Sequence, residues 1–226
     1  MENRTVDVFL TELASGAPTP GGGGASAVCG AIAAALGSMV GNLTSGKKKY
    51  AEYQEEIEVA IAKCGSLVKE FEALGKKDEE VFEPLAKAYS IPKDQEGRDE
   101  ILEGVLKDAS TAPFEVVEKA YETALVLARL AVIGSRLAIS DVGVAAAACS
   151  TAAKGAAMNV YINTKSMKDR AYAEDLNKRT DDLVAQTTEI CDKVYSQVKT
   201  ILIGGELIWE DWAAKKLQMR SWLISR

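Results

Sequence analysis

The stretch "PTPGGGGASAVCGAIAAALGSMVGNLTSG" (18–46) decides the fold of this chain, since four consecutive glycines lead into a long run without charge. Glycine loses more backbone entropy on ordering than any other residue, so a helix that starts with glycines points to a need for bare backbone there. We predict a loop over 15–22 and a helix from about Gly23 to Thr44.

Small residues recur every four positions along this helix, at Gly30, Ala34 and Ser38. Residues at this spacing share one face, and small side chains there let another backbone approach closely. We therefore expect the helix to lie at the centre of a bundle or at a subunit interface.

Helical periodicity continues along the rest of the chain, and no stretch alternates as a β-strand does. A short first helix near the N-terminus precedes the helix from Gly23 to Thr44. After these two, we predict helices over 47–74, 77–89, 95–106, 112–137, 140–163 and 168–203. Ser140-Asp141 is a capping signal for the helix over 140–163. The predicted fold is all-α, an antiparallel multi-helix bundle with long central Gly/Ala-rich helices. One helical domain would occupy 1–204. The remaining 205–226 would be a tail, either helical or foreign to the domain.

Composition narrows the class of protein. The chain has 226 residues, 47% of them hydrophobic, and a net charge of −6, which argues against a nucleic-acid or anionic-membrane binder. Histidine is absent and the four cysteines form no CxxC pair, so we expect buried reduced thiols and no metal site. The acidic, amphipathic N-terminus does not resemble a signal peptide. The uncharged run is built from Gly, Ala, Ser and Thr, which favours a buried soluble helix over a membrane span and a cytoplasmic protein.

The glycine run itself is the first candidate site. The free N–H groups at a helix start can hold an anion or a polar carbonyl, and Gly21, Gly22 and Gly23 would let a flat ligand lie against the backbone. Alternatively, the glycines only permit a tight turn and close helix packing. The run matches neither a P-loop nor a dinucleotide-binding fingerprint.

The segment "NLTSGKKKY" (42–50) is the second candidate, since it holds the densest basic cluster of an acidic chain. Asn42 lies near the end of the uncharged helix, and Lys47 and Lys48 follow it. The lysines can be solvated partners of the helix C-terminal dipole, or they can bind the tail of a polyanionic substrate.

Two further segments carry polar groups in informative positions. Asp78 begins "DEEVF" (78–82) and is either a charge at a helix start or a functional carboxylate. Asp141 starts an Ala-rich helix near whose end Asn159 and Asn163, four residues apart, share a face. Such a pair must find hydrogen bonds in the core or on a ligand.

Together these segments resemble one protein family. "LASGAPTPGGGGASAVCGAIAAALGSMVGNLTSGKKKY", "DEEVF…YSIPK", "ASTAPFEVV" and "SDVGVAAAACSTAAKGAAMNVYINTK" occur in the order seen in the cyclodeaminase/cyclohydrolase family. This family comprises the C-terminal domain of formiminotransferase-cyclodeaminase and the stand-alone methenyltetrahydrofolate cyclohydrolases. The resemblance implies an all-helical, dimeric, metal-free enzyme that acts on the one-carbon bridge of tetrahydrofolate.

The resemblance also implies roles for individual residues. The family's catalytic carboxylate lies in an Asp-x-x-x-Phe motif, which here is Asp78 to Phe82. Asp141, Asn159 and Asn163 match polar positions of a later motif. The chain departs from the family at Ser135, where an asparagine is usual, and in the basic "GKK" before Asp78.

The resemblance implies hydrolysis of 5,10-methenyltetrahydrofolate to 10-formyltetrahydrofolate, with the tetrahydrofolate derivative as substrate and no permanently bound cofactor. One alternative is cyclodeamination of 5-formiminotetrahydrofolate with release of ammonia. Another is a folate-binding or scaffold subunit that has lost catalysis. The resemblance further implies a homodimer in which the central helices, with their small-residue face, pack across a two-fold axis.

Overall fold

The computed structural model describes residues 4–205, and within them the fold is all-α, as predicted. Its helices are α1 (Val6–Leu13), α2 (Gly22–Thr44), α3 (Gln54–Ser90), α4 (Arg98–Ile133), α5 (Ile139–Thr164) and α6 (Arg170–Leu202). Two 3-10 helices, Lys48–Tyr53 and Arg136–Ala138, precede α3 and α5. The predicted tail after Gly205 lies outside the described residues.

The uncharged helix α2 and the Ala-rich helix α5 lie side by side in the middle of the bundle and run antiparallel. Gly22, at the start of α2, faces Asn159 near the end of α5. At the other end, the Thr44 hydroxyl accepts a hydrogen bond of 2.8 Å from the N–H of Ser135, just before α5. Helix α3 packs beside α2 and α6 beside α5, while α4 contacts all four of them.

Glycines on α2 allow α3 to approach closely. An added Cβ would lie 2.4 Å from the Phe71 ring at Gly30 and 2.6 Å from the Ile61 side chain at Gly41. Ala34 is fully buried within the same chain. The expectation that this face packs across a two-fold axis is therefore wrong for Gly30 and Ala34, because their own core fills the space.

Several predicted helix boundaries are also wrong. The helix predicted to start at 47 starts at Gln54, because a 3-10 helix occupies Lys48–Tyr53, and the helix predicted to end at 137 ends at Ile133. Helix α3 continues through Gly75, which is buried and leaves no room for a loop, and α4 continues through Pro113. Ser140-Asp141 does not cap α5, because the preceding 3-10 turn leads directly into the helix and Ala138 is its N-cap. By contrast, the predicted bounds of α2 and α5 are correct to within a residue.

Two segments, Gly22–Thr44 and Arg136–Thr164, are long and apolar enough to cross a membrane by length and composition alone. Within the bundle, 50% and 56% of their most apolar 18-residue stretches are buried. The four cysteines are free thiols, and three of them, Cys64, Cys149 and Cys191, are buried.

Candidate active site

The start of α2 opens onto a cavity of about 370 Å³, within the size range of small-molecule sites. Its walls are formed by the loop before α2, the start of α2, helix α3, helix α4 and the end of α5 with the turn that follows it. Its lining comprises Pro18, Thr19, Gly21, Gly22, Gly23, Asp78, Val81, Phe82, Leu85, Tyr89, Ala109, Asn159, Ile162, Asn163 and Ser166.

The glycine-led helix start forms one wall of the cavity. Gly21 is the N-cap of α2, and no side chain caps the helix. The N–H groups of the first helical turn have no carbonyl partner inside their own helix, and they carry the positive end of the helix dipole. Because Gly22 and Gly23 present bare backbone, a ligand can approach this positive end closely.

Asp78 fits into the space left by the missing side chain of Gly23. A Cβ built at Gly23 would lie 2.3 Å from both carboxylate oxygens of Asp78, so no residue with a side chain fits there without displacing the carboxylate. Burial raises the pKa of Asp78, the N–H of Gly24 acts in the opposite direction, and the charge of Glu79 adds to the rise. The carboxylate is thus a stronger base than an exposed aspartate.

Helix α3 adds an apolar wall beside the carboxylate. Val81, Phe82, Leu85 and Tyr89 follow Asp78 at spacings of three and four residues and so share one helix face. Phe82 is 38% exposed and Tyr89 49% exposed, which is unusual for large rings in a packed bundle. The slot between these rings and the glycine backbone suits a flat aromatic ligand.

Two asparagine side chains project from α5, and the backbone fixes the orientation of both. Asn159 donates through Nδ2 to the Gly155 carbonyl at 3.0 Å, and Asn163 donates to the Ala109 carbonyl at 3.1 Å. Ala109 lies four residues before Pro113, which has no N–H, so its carbonyl lacks the usual helical partner. The proline inside α4 therefore frees the carbonyl that holds Asn163.

The structure brings seven of the predicted site residues together around the cavity: Gly21, Gly22, Gly23, Asp78, Phe82, Asn159 and Asn163. It does not bring Asn42, Lys47, Lys48 or Asp141 there. These four lie at the opposite end of the α2–α5 pair, because α2 rises about 1.5 Å per residue and Asn42 is therefore about 30 Å from Gly22. Lys47 instead donates a hydrogen bond of 3.4 Å to the Ser135 hydroxyl.

Sequence reasoning missed Tyr89, Leu85, Ile162 and Ser166 among the lining residues. For Leu85, Tyr89 and Ile162 the signal was helical spacing: positions 78, 82, 85 and 89 share a face of α3, and 159, 162 and 163 share a face at the end of α5. Ser166 lies in the turn just after α5. The contribution of Ala109 had no such signal, since it depends on the packing of α4 against α5.

Comparison with known proteins gives consistent results. The family profile described as formiminotransferase-cyclodeaminase matches residues 5–182. The chain is 38% identical to a methenyltetrahydrofolate cyclohydrolase of Methylorubrum extorquens over 88% of this chain and 97% of that protein. It is 29% identical to the formimidoyltransferase-cyclodeaminase of Sus scrofa, of which it covers 35% of the length.

A solved structure agrees with the fold. Formiminotetrahydrofolate cyclodeaminase of Thermotoga maritima superposes with a TM-score of 0.82 at 31% sequence identity, covering 89% of this chain and 98% of that one. The similarity therefore extends over nearly the whole of two stand-alone proteins and over about a third of the longer one.

Proposed function

From the premise that this chain belongs to the formiminotransferase-cyclodeaminase family, we propose that it hydrolyses 5,10-methenyltetrahydrofolate to 10-formyltetrahydrofolate, reversibly. The prediction of a folate one-carbon enzyme is confirmed by the names of its relatives, a cyclohydrolase and cyclodeaminases. One observation carries the assignment to this cavity: the Asp78 carboxylate, with a raised pKa, lies against the glycine-led start of α2.

The chemistry requires a base near a cation. The methenyl bridge joins N5 and N10 as an amidinium-like cation, and water must add to its carbon. A carboxylate beside the bridge stabilises the cation and accepts a proton from the attacking water. Asp78 is the one charged side chain among the cavity-lining residues in the part of the chain that is described.

The proton transfers balance as follows. Water forms a C–O bond to the bridge carbon and gives a proton to Asp78. The bond from the bridge carbon to N5 then breaks, Asp78 returns its proton to N5, and the proton of the new hydroxyl passes to solvent. The net result is one water consumed, one proton released and a formyl group left on N10.

The remaining lining residues bind and orient the substrate. The flat ring system would lie in the slot between the glycine backbone and Phe82. The side-chain oxygens of Asn159 and Asn163 accept no hydrogen bond within residues 4–205, so they can accept N–H groups of the ring. Since a hydrogen-bonded Nδ2 fixes each amide, these acceptors are preorganised.

Cyclodeamination of 5-formiminotetrahydrofolate is the second candidate, because the Thermotoga maritima structure at 31% identity is a formiminotetrahydrofolate cyclodeaminase. Attack of N10 on the formimino carbon would form the same bridge, and the leaving ammonia needs a proton that a protonated Asp78 can supply. We favour hydrolysis because the 38% identical relative is a stand-alone cyclohydrolase that the chain matches over nearly its full length.

Location, cofactor and assembly are part of the same proposal. We propose a cytoplasmic homodimer that holds no permanent cofactor and binds neither nucleic acid nor membrane. The net charge of −6 supports the last point.

Assaying both substrates separately tests the proposal. Purified protein is incubated with 5,10-methenyltetrahydrofolate and with 5-formiminotetrahydrofolate, while methenyl absorbance and ammonia are followed. We expect loss of the methenyl absorbance above the uncatalysed rate, without turnover of the formimino compound. Release of ammonia would move the assignment to cyclodeamination. If neither substrate is converted, yet a folate raises the melting temperature of the protein, the protein is a binding subunit without catalysis.

A further inference from the structure

Two neighbouring carboxylates of α3 reach the start of α2. Asp78 lies against Gly23, and Glu79 lies against Gly24, where an added Cβ would be 4.0 Å from the Glu79 Oε1. The positive end of a helix dipole favours negative charge, so this position suits both side chains. Of the two, only Asp78 lines the cavity. The second carboxylate therefore lies beside the base without belonging to the cavity wall.

The Glu79 carboxylate is held by Arg4, which precedes α1. Nη1 of Arg4 donates to Oε1 of Glu79 at 2.8 Å, and Nη2 donates to Oε2 at 3.3 Å. Such a two-bonded pair fixes the geometry as well as the charge. The side chains of Arg4 and Glu79 are 25% and 19% exposed, so solvent screens the pair less than a pair at the surface. Nε of Arg4 also forms an ion pair of 3.0 Å with Glu12 of α1.

The surroundings of Asp78 contain no comparable charge within the described residues. Helix α2, the loop before it and the end of α5 are uncharged, while Asp7 of α1, Asp108 of α4 and Lys165 after α5 are exposed. Two other pairs engage the neighbouring charges of α3: Lys76 with Glu80 at 3.6 Å and Lys77 with Glu115 of α4 at 2.8 Å. Glu79 is the charged side chain that acts on the pKa of Asp78, after burial and the N–H of Gly24. The state of Glu79 therefore matters to the base.

Resting on the proposed function, we propose that Arg4 is a positioning residue of the reaction, which ties down the Glu79 carboxylate so that Asp78 is the free carboxylate beside the bridge carbon. The guanidinium offsets the charge that Glu79 places next to Asp78, and it keeps the Glu79 side chain out of the cavity. Without Arg4, two free anions would share one helix start. Like charges so close together disfavour the ionised form of each other.

A carboxyl ¹³C NMR titration of protein labelled in aspartate tests this directly. The Asp78 signal is assigned by its absence in Asp78→Asn. We expect the titration midpoint of Asp78 to rise in Arg4→Gln, because the charge of Glu79 is no longer offset, and to fall in Glu79→Gln, because that charge is gone. The variant with both substitutions should match Glu79→Gln alone, since Arg4 acts through Glu79.

The pH dependence of methenyl hydrolysis should follow the same order. The acid limb of kcat/KM, with the uncatalysed rate subtracted at each pH, should move up in Arg4→Gln and down in Glu79→Gln. A limb displaced by about half a pH unit changes the rate about threefold at a pH below the limb. We expect Arg4→Gln to lose at least about threefold there, and to match the wild type at a pH where Asp78 is ionised in both.

Two matched variants separate this role from simple docking of α1. Glu12→Gln removes the ion pair of Arg4 within the N-terminal segment and leaves the pair with Glu79 in place. Arg4→Lys keeps the positive charge without the two-bonded geometry. We expect both to keep the acid limb close to that of the wild type. If Arg4 only docked α1, Glu12→Gln and Arg4→Gln would lower the melting temperature together and leave the limb in place.

The outcomes for this inference and for the proposed function are distinct. An Asp78 midpoint that is unchanged in Arg4→Gln overturns the role of Arg4 even if the wild type hydrolyses the methenyl compound, and so does a double variant that differs from Glu79→Gln. If Arg4→Gln melts too low to titrate, Glu79→Gln decides, and an unchanged Asp78 midpoint there has the same consequence. A wild type that converts no folate overturns the proposed function, while the NMR midpoints still report whether Arg4 controls the charge beside Asp78.

Discussion

Replacing Gly23 by alanine tests how the glycine run supports chemistry. The new Cβ would lie 2.3 Å from both oxygens of Asp78, whereas ordinary contacts begin near 3.4 Å. The carboxylate must therefore retreat by about 1 Å or rotate out of its position, since the helix backbone at Gly23 is fixed by packing. Asp78 is the group that moves, because it is a side chain on the cavity surface.

The effect on stability should be small and the effect on activity large. Alanine is favoured over glycine inside a helix by about 1 kcal/mol, which offsets the cost of moving one carboxylate. A base displaced by about 1 Å, however, loses about 100-fold in rate. We expect Gly23→Ala to fold, to melt within a few degrees of the parent, and to lose about 100-fold in kcat for methenyl hydrolysis.

Gly24→Ala is the matched control. Its Cβ would meet Pro20 at 3.7 Å and Glu79 at 4.0 Å, both ordinary contacts, and its N–H still faces Asp78. The helix gains the same propensity without displacing the carboxylate. Equal kcat for the two alanine variants, measured by methenyl absorbance alongside thermal melts, would refute the argument that the bare backbone at Gly23 exists to seat Asp78.

Three further substitutions and conditions give separate tests. Burial raises the pKa of Asp78 in the folded state above its pKa in the unfolded state. Ionisation of Asp78 therefore lowers the stability of the fold as the pH rises from the unfolded-state pKa through the folded-state pKa. Asp78→Asn should therefore melt no lower than the parent at pH 7. The kcat of the wild type should fall as the pH drops through the raised pKa of Asp78. A variant clearly less stable than the parent at pH 7 would instead assign the carboxylate a role in capping the start of α2. Gly30→Ala places a Cβ 2.4 Å from the fully buried Phe71 ring, so its urea midpoint should drop by the equivalent of about 1–3 kcal/mol, and an unchanged midpoint would contradict the packing. Pro113→Ala restores an N–H to the carbonyl that holds Asn163, so we expect a higher melting temperature with a raised KM, and an unchanged KM would show that this anchor is dispensable.

The sequence allowed α2 to be predicted closely because its signals are local. The absence of charge over its length and the glycines at its start mark it independently of tertiary contacts. The same local reasoning failed at Gly75 and Pro113, which were treated as breaks. Their neighbours pack into the core or onto α5, and packing energy outweighs the weak helix propensity of a single residue.

The site could be predicted in part for a similar reason. Asp78, the glycines and the asparagines were found from motifs, and the fold brings them together because α2 and α5 are antiparallel and α3 lies beside them. The distance of Lys47 from this cavity could not be predicted from motifs, since order along a chain does not show at which end of a bundle a residue lies. The contribution of Leu85 and Tyr89 to the cavity wall could have been predicted from their helical spacing relative to Asp78 and Phe82.

The rate of 5,10-methenyltetrahydrofolate hydrolysis by wild type and by Asp78→Asn, at one pH and with the uncatalysed rate subtracted, tests the central claim most directly. Loss of a general base costs about 10²–10⁴-fold in rate. We therefore predict catalysed hydrolysis by the wild type and a loss of that size in kcat for a variant that still binds folate. Wild-type hydrolysis that persists undiminished in Asp78→Asn would contradict the account.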